Sequence, residues 1–466
     1  MKTKNGKPMR SVASCSRRQF LTTAACAAGG AVWSLATRRG ACAATPVIID
    51  GKLRKARPRP DLVDPRSPEG LEVIQLTSEA DVPASHLYME AQIFTMDSKR
   101  FVLHRSATAH GARKDDSKHQ YLLCDLENSG ALTPLTDERG ATAATVSPDG
   151  RYLYYFVDET RVAGGRLSLR RVGLDGSDRQ TILVVDHPLP GTKFRPSQIY
   201  PLSTISSDGR RLALSAFLGD GKTEDAPFGL MVFDLQKATA QLIIHGQTWC
   251  NMHPQYSRSL EPEASHDILI QENHGSVNDA RGKTTVLVSG AGADIHVIRD
   301  DGSNFRNMPW GRDGNEACQG HQCWRGRTAW AITSTGTRQP PEAQLIEGLA
   351  APFAGHVGIK TPHAVRNDLS RSFPKPNFYH FGTDIAGNRL ITDSGPHDRR
   401  GGIYLAELDA PGRGPAKKFT YLLCPRSSWQ KGAHIHPFLS PDGRMGFFNS
   451  DESGILQAYM VRGLPA

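Results

Sequence analysis

The chain repeatedly shows an apolar stretch, a short polar turn and then a stretch in which apolar and polar residues alternate. The clearest copies are Ser-Pro-Asp-Gly at 147–150, followed by the alternating residues 151–156, and Ser-Ser-Asp-Gly at 206–209, followed by residues 210–214. Ser-Pro-Asp-Gly returns at 440–443. An Asp-Gly turn between two such stretches is typical of a β-hairpin. The pattern therefore predicts a recurring strand, turn and strand.

The spacing of these turns indicates how many units the chain holds. Asp149 and Asp208 lie 59 positions apart, and Asp149 and Asp442 lie 293 positions apart, which is close to five such steps. Weaker copies fill the intervals, at 94–99, 256–270, 323–326 and 383–388. Together these copies make seven units.

A repeat of about 50 to 60 residues built from short strands is typical of a β-propeller, whose blades close radially and leave few exposed edges. No stretch has a long apolar period of 3.6 residues, so few helices are expected. The alternative is a pair of β-sandwiches with coincidental turns. The sequence predicts an all-β fold, a seven-bladed β-propeller over residues 76–466.

The first 43 residues have the features of an export signal. Arg17 and Arg18 precede a weakly apolar segment rich in Ala and Gly, and Ala-Cys-Ala at 41–43 offers a cleavage site. This order predicts a twin-arginine (Tat) signal peptide at 1–43, recognised by the Tat translocase during export. Gly29 and Gly30 make the segment poorly suited to the alternative, a retained membrane anchor, so no stable anchor is expected. The predicted location is the periplasm or the exterior.

Residues 44–75 read as a linker or an N-terminal arm that closes the first blade, because the segment is rich in Pro, Arg and Lys and poor in large apolar groups. Charge outside the signal is nearly balanced. The first 43 residues hold eight of the 56 Lys and Arg and no Asp or Glu, which leaves 48 basic against 47 acidic residues. No nucleic-acid partner is therefore predicted.

Two histidines, His434 and His436, directly precede the last Ser-Pro-Asp-Gly turn. In an extended chain, residues i and i+2 point to the same face, which lets both imidazoles reach one metal ion. The alternative is a strand whose two rings line the propeller channel and bind water.

Four more histidines lie near the start of a strand in their repeat units. They are His86, His253, His321 and His380. Propeller blades present equivalent positions towards the central axis, so residues that are distant in sequence converge at one mouth of the channel. The set predicts a functional site, whereas any one of these histidines alone is more often a core or turn residue.

In the order of its motifs, the chain resembles the oligogalacturonate lyases, a family of seven-bladed propellers. The resemblance extends from about Leu76 to Val461. The family's C-terminal histidine pair, Pro, aromatic and Ser-Pro-Asp pattern is similar to residues 434–442, and its Asp-Ala-Arg motif matches residues 279–281. Its His-Glu-Phe-Trp motif resembles His-Gln-Cys-Trp at 321–324. Weaker likenesses surround His253, His274 and His380.

The resemblance implies that His380, His434 and His436 bind a divalent metal, manganese in the family. Zinc, iron or nickel would also suit three imidazoles and one amide oxygen. A glutamine three residues before the histidine pair completes the family's set. Here that position is Lys431, and Gln430, one residue earlier, is the predicted fourth ligand.

The implied reaction is β-elimination on oligogalacturonides, the acidic oligosaccharides of pectin degradation. The proton at C5 is acidified only by a neighbouring carboxylate, whose charge must be offset by a metal or an arginine. The resemblance gives His321 as the base and Arg281 as the partner of the substrate carboxylate; the alternative for Arg281 is an exposed loop residue. His253, His274, His86 and Tyr88 are candidates for sugar contacts.

Two other functions fit a propeller of this kind. The first is a non-catalytic periplasmic scaffold that resembles TolB, whose blades share the Ser-Pro-Asp-Gly turn but need no cluster of histidines. The second is a hydrolase acting on a sugar or an ester. It would require a pair of carboxylates near the channel or a nucleophile with its base, and the sequence has no Gly-x-Ser-x-Gly elbow.

Overall fold

The computed structural model describes residues 56–111, 116–162, 164–287, 292–311, 316–336, 343–350, 365–395, 401–430 and 432–466. The Tat signal predicted at 1–43, the start of the predicted arm at 44–55 and Lys431 lie outside these residues. Antiparallel β-strands dominate the described part of the chain. Its helices are two single 3-10 turns, Pro60–Leu62 and Ala264–His266.

The strands from residue 57 to residue 246 form an N-terminal pair and three four-stranded sheets. The N-terminal pair is β1 (Arg57–Pro58) and β2 (Glu72–Gln75). The first sheet contains β3 (Ser85–His86), β4 (Arg100–His104), β5 (Tyr121–Asp125) and β6 (Ala131–Pro134). The second contains β7 (Ala141–Val146), β8 (Tyr152–Arg161), β9 (Gly164–Gly173) and β10 (Gln180–Val185). The third contains β11 (Gln198–Ile205), β12 (Arg211–Phe217), β13 (Phe228–Asp234) and β14 (Thr239–Gly246).

The middle of the chain forms one longer sheet, in which two groups of strands meet at a single pair, Ala293 with Cys318. The first group contains β15 (Gln255–Tyr256), β16 (Asp267–Asn273), β19 (Ala293–Arg299) and β20 (Arg306–Asn307). A separate hairpin, β17 (Val277–Asn278) and β18 (Thr284–Val286), lies between β16 and β19 in sequence. The second group contains β21 (Ala317–Trp324), β22 (Trp330–Gly336), β23 (Gln344–Leu349) and β24 (Arg366–Asp368).

The last two sheets bring the ends of the chain together. One contains β25 (Phe378–Thr383), β26 (Arg389–Ser394), β27 (Gly402–Glu407) and β28 (Lys418–Leu423). The other contains β29 (Phe438–Leu439), β30 (Gly446–Ser450) and β31 (Gln457–Arg462), and β2 then pairs with β31. The end of the predicted N-terminal arm is therefore a strand of this last sheet.

The first strands of successive groups lie side by side: β7 beside β11, β21 beside β25, and β25 beside β29. The buried apolar clusters lie between neighbouring sheets; one of them joins Phe101 of β4, Tyr155 of β8 and Phe447 of β30. This is a β-propeller, and the all-β propeller prediction is confirmed. If the long sheet is divided at its single joining pair, the described strands form seven groups.

The predicted turns occupy one place in each group, between its first and second strands. In the second sheet, the Ser147 hydroxyl donates to Asp149 Oδ1 at 2.5 Å and accepts the Tyr152 amide at 3.0 Å. Equivalent Ser–Asp bonds of 2.6 Å recur at Ser206 and Ser440. The repeat is thus a side-chain-stabilised turn that fixes each hairpin.

No helix within the described residues is both long enough and apolar enough to cross a membrane.

Candidate metal centre

His434 and His436 lie in the loop that leads into β29, not in an extended strand as their spacing predicts. His436 has a left-handed backbone conformation, with φ of 45°. The loop is held by the buried residue between them, because the Ile435 carbonyl accepts the Asn449 amide of β30 at 2.8 Å. The two rings nevertheless converge, with their centroids 5.5 Å apart. The pairing predicted for these side chains therefore arises from a loop rather than from strand alternation.

His380, on β25, faces the same point. Its ring centroid lies 4.5 Å from that of His436 and 5.2 Å from that of His434. The Asp393 carboxylate on β26 accepts the His380 backbone amide at 2.9 Å and lies 2.7 Å from the ring Nδ1. A carboxylate on one ring nitrogen fixes the tautomer and leaves the other nitrogen for a metal, an arrangement common around metal-binding histidines.

Several ring nitrogens in this cluster are buried without hydrogen bonds. Within the described residues, both nitrogens of His436 and Nε2 of His380 have no hydrogen-bond partner. Buried polar atoms are almost always paired, so orphaned nitrogens at one point fit a bound ion. Burial, reinforced by the neighbouring imidazoles, holds the pKa of both rings well below the ordinary range. Neutral imidazole is the form that binds metals, and the residues present therefore fit a divalent metal.

The sequence did not predict a further member of the cluster, His110, which lies in the loop between β4 and β5. Its ring centroid is 4.9 Å from that of His434 and 4.7 Å from that of His436. One nitrogen from each of these three histidines lies within 4.8 Å of the others. His110 stands alone among small residues in the sequence and belongs to no repeat turn, so no pattern marked it.

His321 lies beside the centre, on β21 of another sheet. Its ring centroid is 4.6 Å from that of His380. The residue is half-buried, and its Nδ1 is a buried atom with no hydrogen-bond partner among the residues described. Burial, with smaller contributions from the nearby histidines, lowers its pKa well below the ordinary value. The ring is therefore neutral at neutral pH and able to accept a proton.

Two other predicted residues, Tyr88 and His253, extend the site. The Tyr88 ring stands edge-on to His436 at 4.5 Å and lies 5.2 Å from His253. His253 is itself buried, with Nδ1 3.0 Å from the Glu90 carboxylate and Nε2 2.9 Å from the Tyr200 hydroxyl. Burial raises the pKa of the Glu90 carboxyl. These groups form a polar wall next to the histidine cluster.

One of the remaining predicted residues lies in the apolar core. His86 is fully buried among Phe101, Phe438 and Phe447, and its Nε2 bonds to the Tyr459 carbonyl at 2.8 Å. A ring in this position serves the core and offers no surface to a sugar.

His274 and Arg281 belong to the fourth group of strands and its hairpin. His274 Nε2 lies 2.7 Å from Asp294 Oδ2. Arg281 is exposed in the turn between β17 and β18, where the Asp279 carboxylate accepts its backbone amide at 2.9 Å. Gln430 is also exposed, and its backbone amide donates to the Ser428 hydroxyl at 3.3 Å. Its role as the fourth metal ligand stays a prediction.

No protein-family model and no curated protein matches the sequence of this chain. Solved structures do match its fold. An oligogalacturonate lyase in complex with manganese superimposes with a TM-score of 0.64 at 18% identity, covering 88% of this chain and 97% of that one. The oligogalacturonate lyase of Vibrio parahaemolyticus gives a TM-score of 0.63 at 18% identity, covering 87% and 96%. TolB from Acinetobacter baumannii gives a TM-score of 0.38 at 12% identity, covering 83% and 86%. This chain therefore has the β-propeller fold of the oligogalacturonate lyases.

Proposed function

We propose that this protein is a metal-dependent lyase that cleaves oligogalacturonides, or closely related uronate oligosaccharides, by β-elimination. One observation carries the proposal. The buried imidazoles of His380 and His436 meet at one point, and another strand, β21, carries a half-buried, neutral histidine, His321, beside His380.

His110, His380, His434 and His436 are the residues that would hold the ion, with Asp393 orienting His380. Manganese is the ion named for one lyase of the same fold, and zinc, iron or nickel also bind imidazole. When bound, such an ion would offset the charge of the uronate carboxylate and so acidify the proton at C5.

His321 would accept the C5 proton. As this proton leaves, the C4–O bond breaks, a double bond forms between C4 and C5, and the departing oxygen takes a proton. An imidazole that is neutral near pH 7 is suited to this role. Tyr88 and the Glu90–His253–Tyr200 group would position the sugar through hydroxyl and ring contacts. Arg281 would pair with a substrate carboxylate from its exposed turn.

If the predicted Tat signal directs export, this chemistry would act outside the cytoplasm, on fragments of pectin. Proteins carried by this pathway fold before export, which agrees with a metal inserted in the cytoplasm.

The test uses the mature chain from Ala44, loaded with metal and supplied with oligogalacturonides and a panel of other uronates. We expect ultraviolet absorbance from the unsaturated product, lost on chelation and restored by metal. His321→Ala is expected to lower kcat by about 10²- to 10⁴-fold, the range for a general base. His245→Ala, an exposed histidine on β14, should leave the rate unchanged. Absence of turnover on every uronate would contradict the proposal.

A further inference from the structure

We infer that His110 is a metal ligand, so that this centre holds its ion with four imidazoles. The inference rests on the metal site in the proposed function, but not on the lyase activity. The ligands would be His110, His380, His434 and His436.

The positions of the nitrogen atoms support His110 as a partner of the histidine pair, and His380 joins them through its ring contacts with both members of that pair. Two nitrogens bound to one ion at about 2.1 Å lie at most about 4.2 Å apart. The closest nitrogens of His110, His434 and His436 all lie within 4.8 Å of one another. Ring rotations that move these three nitrogens by less than about 1 Å would bring them all within reach of one ion, without a movement of the backbone.

The loop that carries His110 is anchored to the loop that carries the histidine pair. The Ala109 amide donates to the Gly432 carbonyl at 3.0 Å, and Ala109 packs with Ala433 in a small apolar cluster. On the other side, Gly111 has φ of 107° and lies against Pro201, where a Cβ atom would come within 2.9 Å of the proline. The backbone around His110 is therefore held in place from both sides.

A second role for His110 is a contact with the sugar, since its ring lies 5.7 Å from that of Tyr88. The two roles differ in what they do to a bound ion without substrate. A sugar contact leaves the affinity for metal unchanged, whereas a lost ligand weakens it.

Ligand type also sets metal preference. Imidazole suits iron, nickel, copper and zinc, whereas manganese, magnesium and calcium favour oxygen ligands. A centre with four imidazoles should therefore select a later transition metal. Replacing His110 by glutamine, which offers an amide oxygen, should move the preference back towards manganese.

The experiment measures metal binding to the metal-free mature protein in the absence of substrate. Titration calorimetry with Co²⁺, Ni²⁺, Zn²⁺ and Mn²⁺ gives the affinities, and X-ray absorption of the Co²⁺ form counts the imidazoles. In His110→Ala we expect about 100-fold weaker Co²⁺ binding, or more, and one imidazole fewer. His110→Gln should narrow the ratio between the Co²⁺ and Mn²⁺ affinities. His245→Ala is the control, and the melting temperature of each metal-free variant verifies folding.

Wild-type affinity and an unchanged imidazole count in a folded His110→Ala protein would overturn the inference, as would a wild type that binds none of these ions. If His110→Ala does not fold, the Co²⁺ affinity and the imidazole count of His110→Gln test the inference instead. A wild type that binds Co²⁺ through four imidazoles and cleaves no uronate would refute the proposed function and uphold this inference.

Discussion

At the scale of single residues, the candidate metal centre depends on a carboxylate behind one of its histidines. Asp393 is fully buried and accepts two hydrogen bonds from His380, one from the backbone and one from the ring. Burial raises its pKa to about 7 in the absence of a metal. The carboxylate therefore fixes the orientation of one ligand from behind.

Asp393→Asn is expected to weaken metal binding by about 10- to 100-fold, the usual effect of losing a partner behind a ligand. The amide has one acceptor oxygen, so it satisfies one of the two His380 donors and sets an NH₂ group against the other. Calorimetric titration with metal measures the change. Asp384→Asn is the matched control, because Asp384 is buried in the same sheet but accepts only backbone amides of its turn. Equal losses in both variants would show that the effect is general destabilisation.

The sequence predicted three members of the histidine cluster but not His110. His434 and His436 stand out as a pair and His380 through the family resemblance, whereas His110 is 324 positions from His434 and lies in an unmarked loop. His86 was predicted to contact the sugar, but it is buried in the core. A histidine at the start of a strand looks the same in sequence whether its ring faces the channel or packs against phenylalanines. Contacts between loops are invisible to a reading of local pattern.

At the scale of elements, two of the first strands, β21 and β25, share a break in their pairing register that changes the direction of side chains. The register shifts between Cys318 and Gln322 in β21 and between Phe378 and Phe381 in β25. His321 and His380 lie within these two irregular segments. Bulges bend a strand and re-aim its side chains, often beside functional sites. The sequence predicted the strands and their turns, because the Ser-x-Asp-Gly turns are local, but it carried no sign of the bulges.

A buried ion pair lies where two neighbouring sheets meet, and one of its members also bonds to the second sheet. Arg325 follows β21 and pairs with Glu347 of β23, and both side chains are almost fully buried. Arg325 Nε also donates to the Gly387 carbonyl in the next sheet at 2.8 Å. The pair thus links the fifth group of strands to the sixth, next to the strands that carry His321 and His380.

Arg325→Met is expected to lower the free energy of unfolding by about 3 to 5 kcal/mol, since it leaves the Glu347 carboxylate buried without its cation. Urea denaturation followed by circular dichroism measures the loss. Adding Glu347→Leu should recover part of it, because an apolar pair removes the stranded charge. Lys99→Met, in the exposed pair with Glu127, is the control and should barely move the midpoint. A double variant as unstable as the sum of the two single variants would contradict this account.

At the scale of the whole molecule, the propeller closes through its two chain ends. β2 lies between β1 and β31 in the sheet that also holds β29 and β30, with Val73 paired to Val461 and Ile74 to Met460. The histidine pair directly precedes β29, and β30 anchors its loop through Asn449. The stability of the histidine cluster is therefore tied to β2.

Val73 is 2% exposed and lies in the apolar cluster with Leu71, Leu439 and Val461. Val73→Asp places a carboxylate in this cluster without a partner, and we expect a loss of about 3 to 5 kcal/mol in the free energy of unfolding. Because β2 closes the ring, the fold and metal binding should be lost in one transition, with equal urea midpoints by circular dichroism and by metal release. Glu72→Ala, at an exposed site on the same strand, should leave both midpoints unchanged. Release of the metal from Val73→Asp while the sheets stay folded would contradict this prediction. The pairing of β2 with β31 would then stabilise only the site, and packing between the sheets would hold the propeller together.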